Sequence, residues 1–138
     1  MNRKRQTPFD ERARDMVIVV LDGNDVHEIY SLVTKLVPHV GAFMLSPRLY
    51  NVMIAELATA DETNASFKLG KIRSIFAMLG KKLLNWECRD ISEVIDVVKG
   101  GAKHAVVGRI ITTARDPADA ADNLVSEIAT VLEQQQVA

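Results

Sequence analysis

The sequence predicts an α/β protein with a parallel sheet, made of about four strand-then-helix units. Three observations lead there. Short apolar runs rich in β-branched residues, such as Met16 to Leu21 and His104 to Gly108, stop at turn residues, as strands buried on both faces do. Apolar residues at helical spacing follow these runs. A chain of 138 residues with 48% hydrophobic residues is the size of one domain and can bury a real core.

Residues 1–15 are polar, with Arg3, Lys4, Arg5, Arg12 and Arg14 set against Asp10, Glu11 and Asp15. They read as an exposed N-terminal arm or a short surface helix ahead of a single α/β domain over 16–138. Met16 to Leu21 is the first strand, and Asp22-Gly23-Asn24-Asp25 stops it, which makes Asp22 a strand-end residue. Asp25 caps the next helix, where Val26, Ile29, Tyr30, Val33, Leu36 and Val37 recur at helical spacing up to Pro38. A second unit starts at Val40 to Leu45, turns at Ser46-Pro47 and continues as a helix with Leu49, Val52, Met53 and Leu57 on one face.

Ala60 to Asn64 reads as a loop. Ala65 to Lys71 fits either a strand or a helix, and Ile72, Ile75, Phe76 and Leu79 read as a helix stopped at Gly80. Lys82 to Cys88 is the next strand candidate; Asp90 or Ser92 then caps a helix with Ile91, Val94, Ile95 and Val98, ended by Gly100-Gly101. After the strand from His104 to Gly108, Pro117 opens an amphipathic helix through Ala121, Leu124, Val125, Ile128, Val131 and Leu132, with Gln134 to Gln136 as a fraying end. In such a sheet, ligands sit at the carboxyl ends of the strands. That singles out Asp22, Leu45 to Pro47, Trp86 to Arg89 and Gly108 to Thr112.

Charges nearly cancel, to a formal net charge of -1, so no global field recruits nucleic acid. The expected partner is a small molecule or a protein. Cys88 is the one cysteine, and His27, His39 and His104 are scattered without zinc spacing. No metal or cofactor is expected, and a reducing, cytoplasmic location is. The apolar runs fall far short of the roughly 20 residues that cross a bilayer. Charges between Phe9 and Asp15 stand where a signal peptide would need an apolar stretch after Arg3-Lys4-Arg5.

At the end of the last strand, Gly108 permits close backbone approach and amides there can face an oxyanion. Arg109 adds a planar, permanently charged fork, and Thr112 and Thr113 add hydroxyls, so the group reads as a phosphate site. A turn glycine followed by a surface arginine is the other reading of the same dipeptide. Cys88 reads as a small buried hydrophobe rather than a nucleophile. Trp86 and Glu87 stand at a strand end, as pocket wall and general base or as core packing and a solvated carboxylate.

The stretch Gly101-Ala102-Lys103-His104-Ala105-Val106-Val107-Gly108-Arg109, then Ile111-Thr112, Ala114, Asp116-Pro117 and Ala120-Ala121, resembles the last βα unit of the orotidine 5'-phosphate decarboxylase family and its hexulose-phosphate synthase relatives. Ile18 to Asp22, the helix over 26–37, and Phe43 to Pro47 are similar to that family's first two units. The resemblance implies a phosphate held by Gly108 and Arg109 and a substrate hydroxyl contact from Asp22. The family's catalytic strand carries Asp-x-Lys-x-x-Asp, and the nearest segment here is Ser66-Phe67-Lys68-Leu69-Gly70-Lys71. In that alignment Lys68 takes the proton-donor position, while Ser66 and Lys71 replace both carboxylates. A neighbouring Lys71 works against an ammonium on Lys68. Phe43 or Met44 stands where the family often places a lysine.

A closed barrel of eight βα units usually takes about 200 residues or more. The expected architecture is therefore a half-barrel or open sheet completed by self-association into a homo-oligomer. The expected function is binding of a phosphorylated small molecule, a nucleotide or sugar phosphate, through Gly108, Arg109 and Thr112. One alternative is an active carbon-carbon lyase or isomerase using Asp22 and Lys68, or Glu87, in a site completed by a partner chain. The other is a non-catalytic oligomeric interaction module.

Overall fold

Val17–Leu21 is a run of four β-branched residues and a leucine, and it forms strand β1 with all five side chains buried. The structure is a computed structural model that describes residues 8–21, 25–59, 72–74 and 87–137. Strand β2 (Ala42–Leu45) pairs parallel with β1 on one side, with Ile18 opposite Ala42 and Val20 opposite Met44. Strand β4 (Ala105–Val107) pairs parallel on the other, with Val17 opposite Ala105 and Val19 opposite Val107. Strand β3 (Ile72–Ser74) extends the sheet beyond β2, giving the order β3-β2-β1-β4. Beyond β4, Cys88 makes a single parallel bridge to Val107. The last strand thus lies beside the first, and the described sheet is open.

Four of the six described helices start where a polar side chain satisfies a first-turn amide. Helix α1 is Pro8–Met16. Ahead of α2 (Val26–Leu36), Asp25 accepts from the amides of His27 and Glu28 at 3.0 and 3.2 Å. Ser46 Oγ accepts from the amide of Leu49 at the start of α3 (Pro47–Thr59). Asp90 Oδ1 accepts from the amide of Glu93 at 2.9 Å in α4 (Ile91–Lys99), and Gly101, at φ 93°, turns the chain out of that helix. The short helix α5 (Arg109–Thr112) follows β4 directly. Asp116 Oδ1 accepts from the amide of Asp119 as α6 (Pro117–Val137) begins.

Alternation along the strands separates two apolar clusters. Val17, Val19, Leu21, Phe43, Leu45, Ala105 and Val107 face the helices, and all six contribute to that one cluster: Ala13, Ile29, Met53, Val98, Ile111 and Leu124 each come from a different helix. Fully burying a side chain such as Ile29 or Leu124 contributes about 1.5–3 kcal/mol. The opposite face, Ile18, Val20, Met44 and Val106, forms a separate small cluster to which no described helix contributes. Those four residues are nonetheless buried.

The N-terminal segment takes the helical one of its two expected forms, and two other elements differ from the sequence expectation. Residues 8–16 form a helix that buries Ala13 and Met16, with Phe9 packed against the core, because an i, i+4, i+7 apolar stripe runs through an otherwise charged segment. Ile72–Ser74 is a strand rather than the start of a helix, since pairing with Phe43 to Leu45 outweighs the local periodicity. Residues 134–136 are helical rather than an irregular end: α6 continues to Val137, and Gln135 Nε2 donates to the carbonyl of Lys99. Among the described residues no helix is long and apolar enough to cross a membrane.

Gly41 fixes the approach of β2 to β1. Its amide donates to the carbonyl of Val17 at 2.9 Å, and a Cβ on it would collide with the Asp15 carbonyl, falling 2.7 Å from its carbon. Backbone cannot step aside as a side-chain tip can. Gly41→Ala is expected to destabilise the chain by about 2–3 kcal/mol, read from the shift of the urea unfolding midpoint. A midpoint unchanged from wild type would show that the entry to β2 does not approach the end of α1 this closely.

Candidate functional site

The row of side chains facing away from the helices runs out at residue 108. Ile18 lies opposite Val106, and continuing that register sets Gly108 beside Val20. Where a side chain would continue the row Gly108 has only a hydrogen, the Glu87 carboxylate takes that space, and a cleft of about 430 Å³ opens at the carboxyl ends of β1 and β4. Its lining is Val20, Glu87 to Arg89, Gly108 to Ile110, and Thr112. Gly108 is buried and stands at the N-cap of α5 with no side chain to cap it, while Ile111 is 1% exposed and anchors the turn in the core. The first-turn amides of Arg109 and Ile110 have no acceptor inside the helix by construction. Thr113 Oγ donates to the carbonyl of Arg109 at 2.6 Å, which holds the other end of the turn.

Arg109 is exposed, lines the cleft, and makes no ion pair or hydrogen bond through its side chain with any described residue. Glu87 lies across from it on the segment bridged to β4. Its carboxylate oxygens are 2.7 and 3.0 Å from where a Cβ on Gly108 would sit, so it rests on the open face of the glycine. Arg89 is tied through its amide, which donates to Glu93 Oε1 at 3.2 Å, and this holds the 87–89 segment to the start of α4.

Of the residues singled out in the sequence, Gly108, Arg109 and Thr112 come together in this cleft. Asp22 and Lys68 lie outside the described residues, as do Ser66, Lys71 and Trp86. Ser46 is occupied as a helix cap. Phe43 and Met44 are fully buried on opposite faces of β2. His39 pairs elsewhere: Asp122 Oδ1 accepts from its Nδ1 at 2.7 Å, tying the end of α2 to α6. With side chains 22% and 44% exposed, that contact is worth no more than about 1 kcal/mol. Val20 lines the cleft without having been singled out, and the period-2 alternation of β1 is the signal that would have found it. Among the described residues no group of His, Cys, Asp or Glu is arranged to hold a metal ion.

The chain matches no family model, no curated protein and no solved structure.

Cys88 is a wall of the cleft rather than a reagent in it. The residue is 4% exposed, and burial pushes its thiol up, with Glu93, Asp90 and Glu87 adding to the rise. A thiol raised in the folded state binds its proton where the unfolded one has lost it. Its stabilising contribution is complete below the ordinary thiol range, near about 8.5, and is lost as pH rises through the folded value. Stability should therefore fall in wild type as pH rises above the ordinary thiol range, and Cys88→Ala should lack that slope in urea melts. Iodoacetamide should alkylate Cys88 more slowly in the folded chain than in urea; equal rates would contradict the buried, proton-retaining thiol.

Proposed function

We propose that the chain binds a phosphorylated small molecule, a nucleotide or sugar phosphate, in the cleft at the ends of β1 and β4. One observation carries the reading: Gly108, Arg109 and Thr112 line the same cleft and bring a glycine backbone, a guanidinium with no partner among the described residues, and a hydroxyl together within five residues. A guanidinium offers two parallel donors to phosphate oxygens and stays charged at any working pH. The likeness of residues 101–121 to the last unit of the orotidine 5'-phosphate decarboxylase family points the same way. The chain reads as a shortened relative of that family in which ligand binding, rather than decarboxylation, is retained.

We further propose that the sheet is a sector of a βα-barrel completed by a second copy of the chain. In chain order the strands are β1, β2, β3, the Cys88 bridge and β4, and each is beside its predecessor except across one gap. A doubly wound sheet carries helices on both faces, whereas the described helices here pack on one. Light scattering is expected to give a discrete oligomer; a monodisperse monomer would sink the shared barrel.

A ligand that binds only the folded state stabilises it by about 2.7 kcal/mol at about a hundred times its Kd. Phosphate-bearing nucleotides and sugars should therefore raise the melting temperature of the wild type. Arg109→Ala should abolish that rise while leaving the melting temperature without ligand nearly unchanged, since Arg109 is exposed. An undiminished rise in the variant would refute the phosphate site.

A further inference from the structure

The cleft is not uniformly cationic. Arg89 and Arg109 bring guanidinium groups to its lining, and Glu87 brings a carboxylate. That carboxylate is not at the rim. It lies on the open face of Gly108, the face that a bound phosphate would use, with its oxygens 2.7 and 3.0 Å from the missing Cβ. Glu87 is only half-buried, yet its carboxylate accepts no side-chain hydrogen bond beyond its own segment and forms no ion pair among the described residues. An ionised carboxylate only accepts, and it has room for several donors. Beside an anion seat, it repels a ligand that brings negative charge alone. The upward push on the neighbouring Cys88 thiol comes first from burial and then from Glu93, Asp90 and Glu87, so this wall sits in a negative field. The cleft thus offers a cationic and an anionic partner side by side.

We infer that Glu87 is the specificity-determining residue of this cleft, selecting a phosphomonoester that carries an ammonium group near its phosphate over one that carries only hydroxyls. The inference rests on the phosphate reading above and supplies the other half of the ligand. The phosphate takes the Arg109 guanidinium and the donors around residues 108–112. The ammonium donates to Glu87, which turns a repulsion into a charge-assisted hydrogen bond. Inorganic phosphate meets the carboxylate with no cation to offer, and an alcohol phosphate offers a neutral donor that bonds less strongly. The carboxylate therefore selects by a penalty against the wrong ligand as well as by attraction for the right one.

Calorimetric titration of the full chain with inorganic phosphate, glycerol 3-phosphate and O-phosphoethanolamine tests this in wild type, Glu87→Gln and Arg109→Ala. Wild type should bind O-phosphoethanolamine tighter than glycerol 3-phosphate by about tenfold or more, the worth of one hydrogen bond to a charged group. Glu87→Gln keeps the shape and removes the charge, so it should erase that preference and bind inorganic phosphate more tightly than wild type. A preference unchanged in Glu87→Gln, with all binding abolished by Arg109→Ala, overturns the role of Glu87 and leaves the phosphate site standing. Binding of none of the three probes to wild type or to Glu87→Gln overturns both.

Discussion

The structure depends on the pairing of β1 with β4, which joins the start of the described chain to its last third. Closing so long a loop costs entropy that grows only logarithmically with length, but it must be met before any cleft exists. Burial on both sides of the seam meets it. Ala13 and Met16 of α1 lie in the same cluster as Leu124, Ile128 and Leu132 of α6, so the helices that flank the paired strands in sequence also lock them in space. The five buried side chains of β1 leave this strand no place at an edge. Only with β4 in register do Val20 and Gly108 become neighbours, and only then do Glu87 and Arg109 share one opening.

A single missing side chain then makes room for the Glu87 carboxylate where a packed row ends. Ile18, Val20, Met44 and Val106 form an apolar row in which the next position of β4 is a glycine. A larger residue there would both fill the row and meet the Glu87 carboxylate. The absence of a Cβ therefore bears on the cleft's shape and on its charge at once: the space proposed to take an anion is the space that holds a carboxylate. Such an arrangement is costly for a generic anion site, where like charge beside the seat weakens binding. It suits a ligand that is itself mixed in charge.

Much of the fold was legible in local pattern. The strands at 17–21, 42–45 and 105–107 and the caps at Asp25 and Asp90 follow from β-branched runs and from side chains that can accept first-turn amides. Ile72–Ser74 was not legible, because a three-residue strand is defined by its neighbour in the sheet and has too little sequence to show a period. The grouping of Gly108, Arg109 and Thr112 was readable, since all three lie within five consecutive residues. The seating of Glu87 on Gly108 was not. It is a long-range contact set by the single bridge between Cys88 and Val107, and no spacing in the sequence encodes it.

The proposed second copy and the proposed ligand bear on the same surface. Val20 belongs both to the small apolar row that no described helix covers and to the lining of the cleft. A chain that completes the barrel would meet that row and would end at the mouth of the site, where the carboxyl ends of its own strands would also lie. Excluding water from that mouth strengthens every charge interaction inside it, the Arg109 fork and the Glu87 carboxylate alike. Assembly and binding are then linked through one face of one sheet, and linkage of this kind is reciprocal: whatever tightens the ligand also tightens the pair.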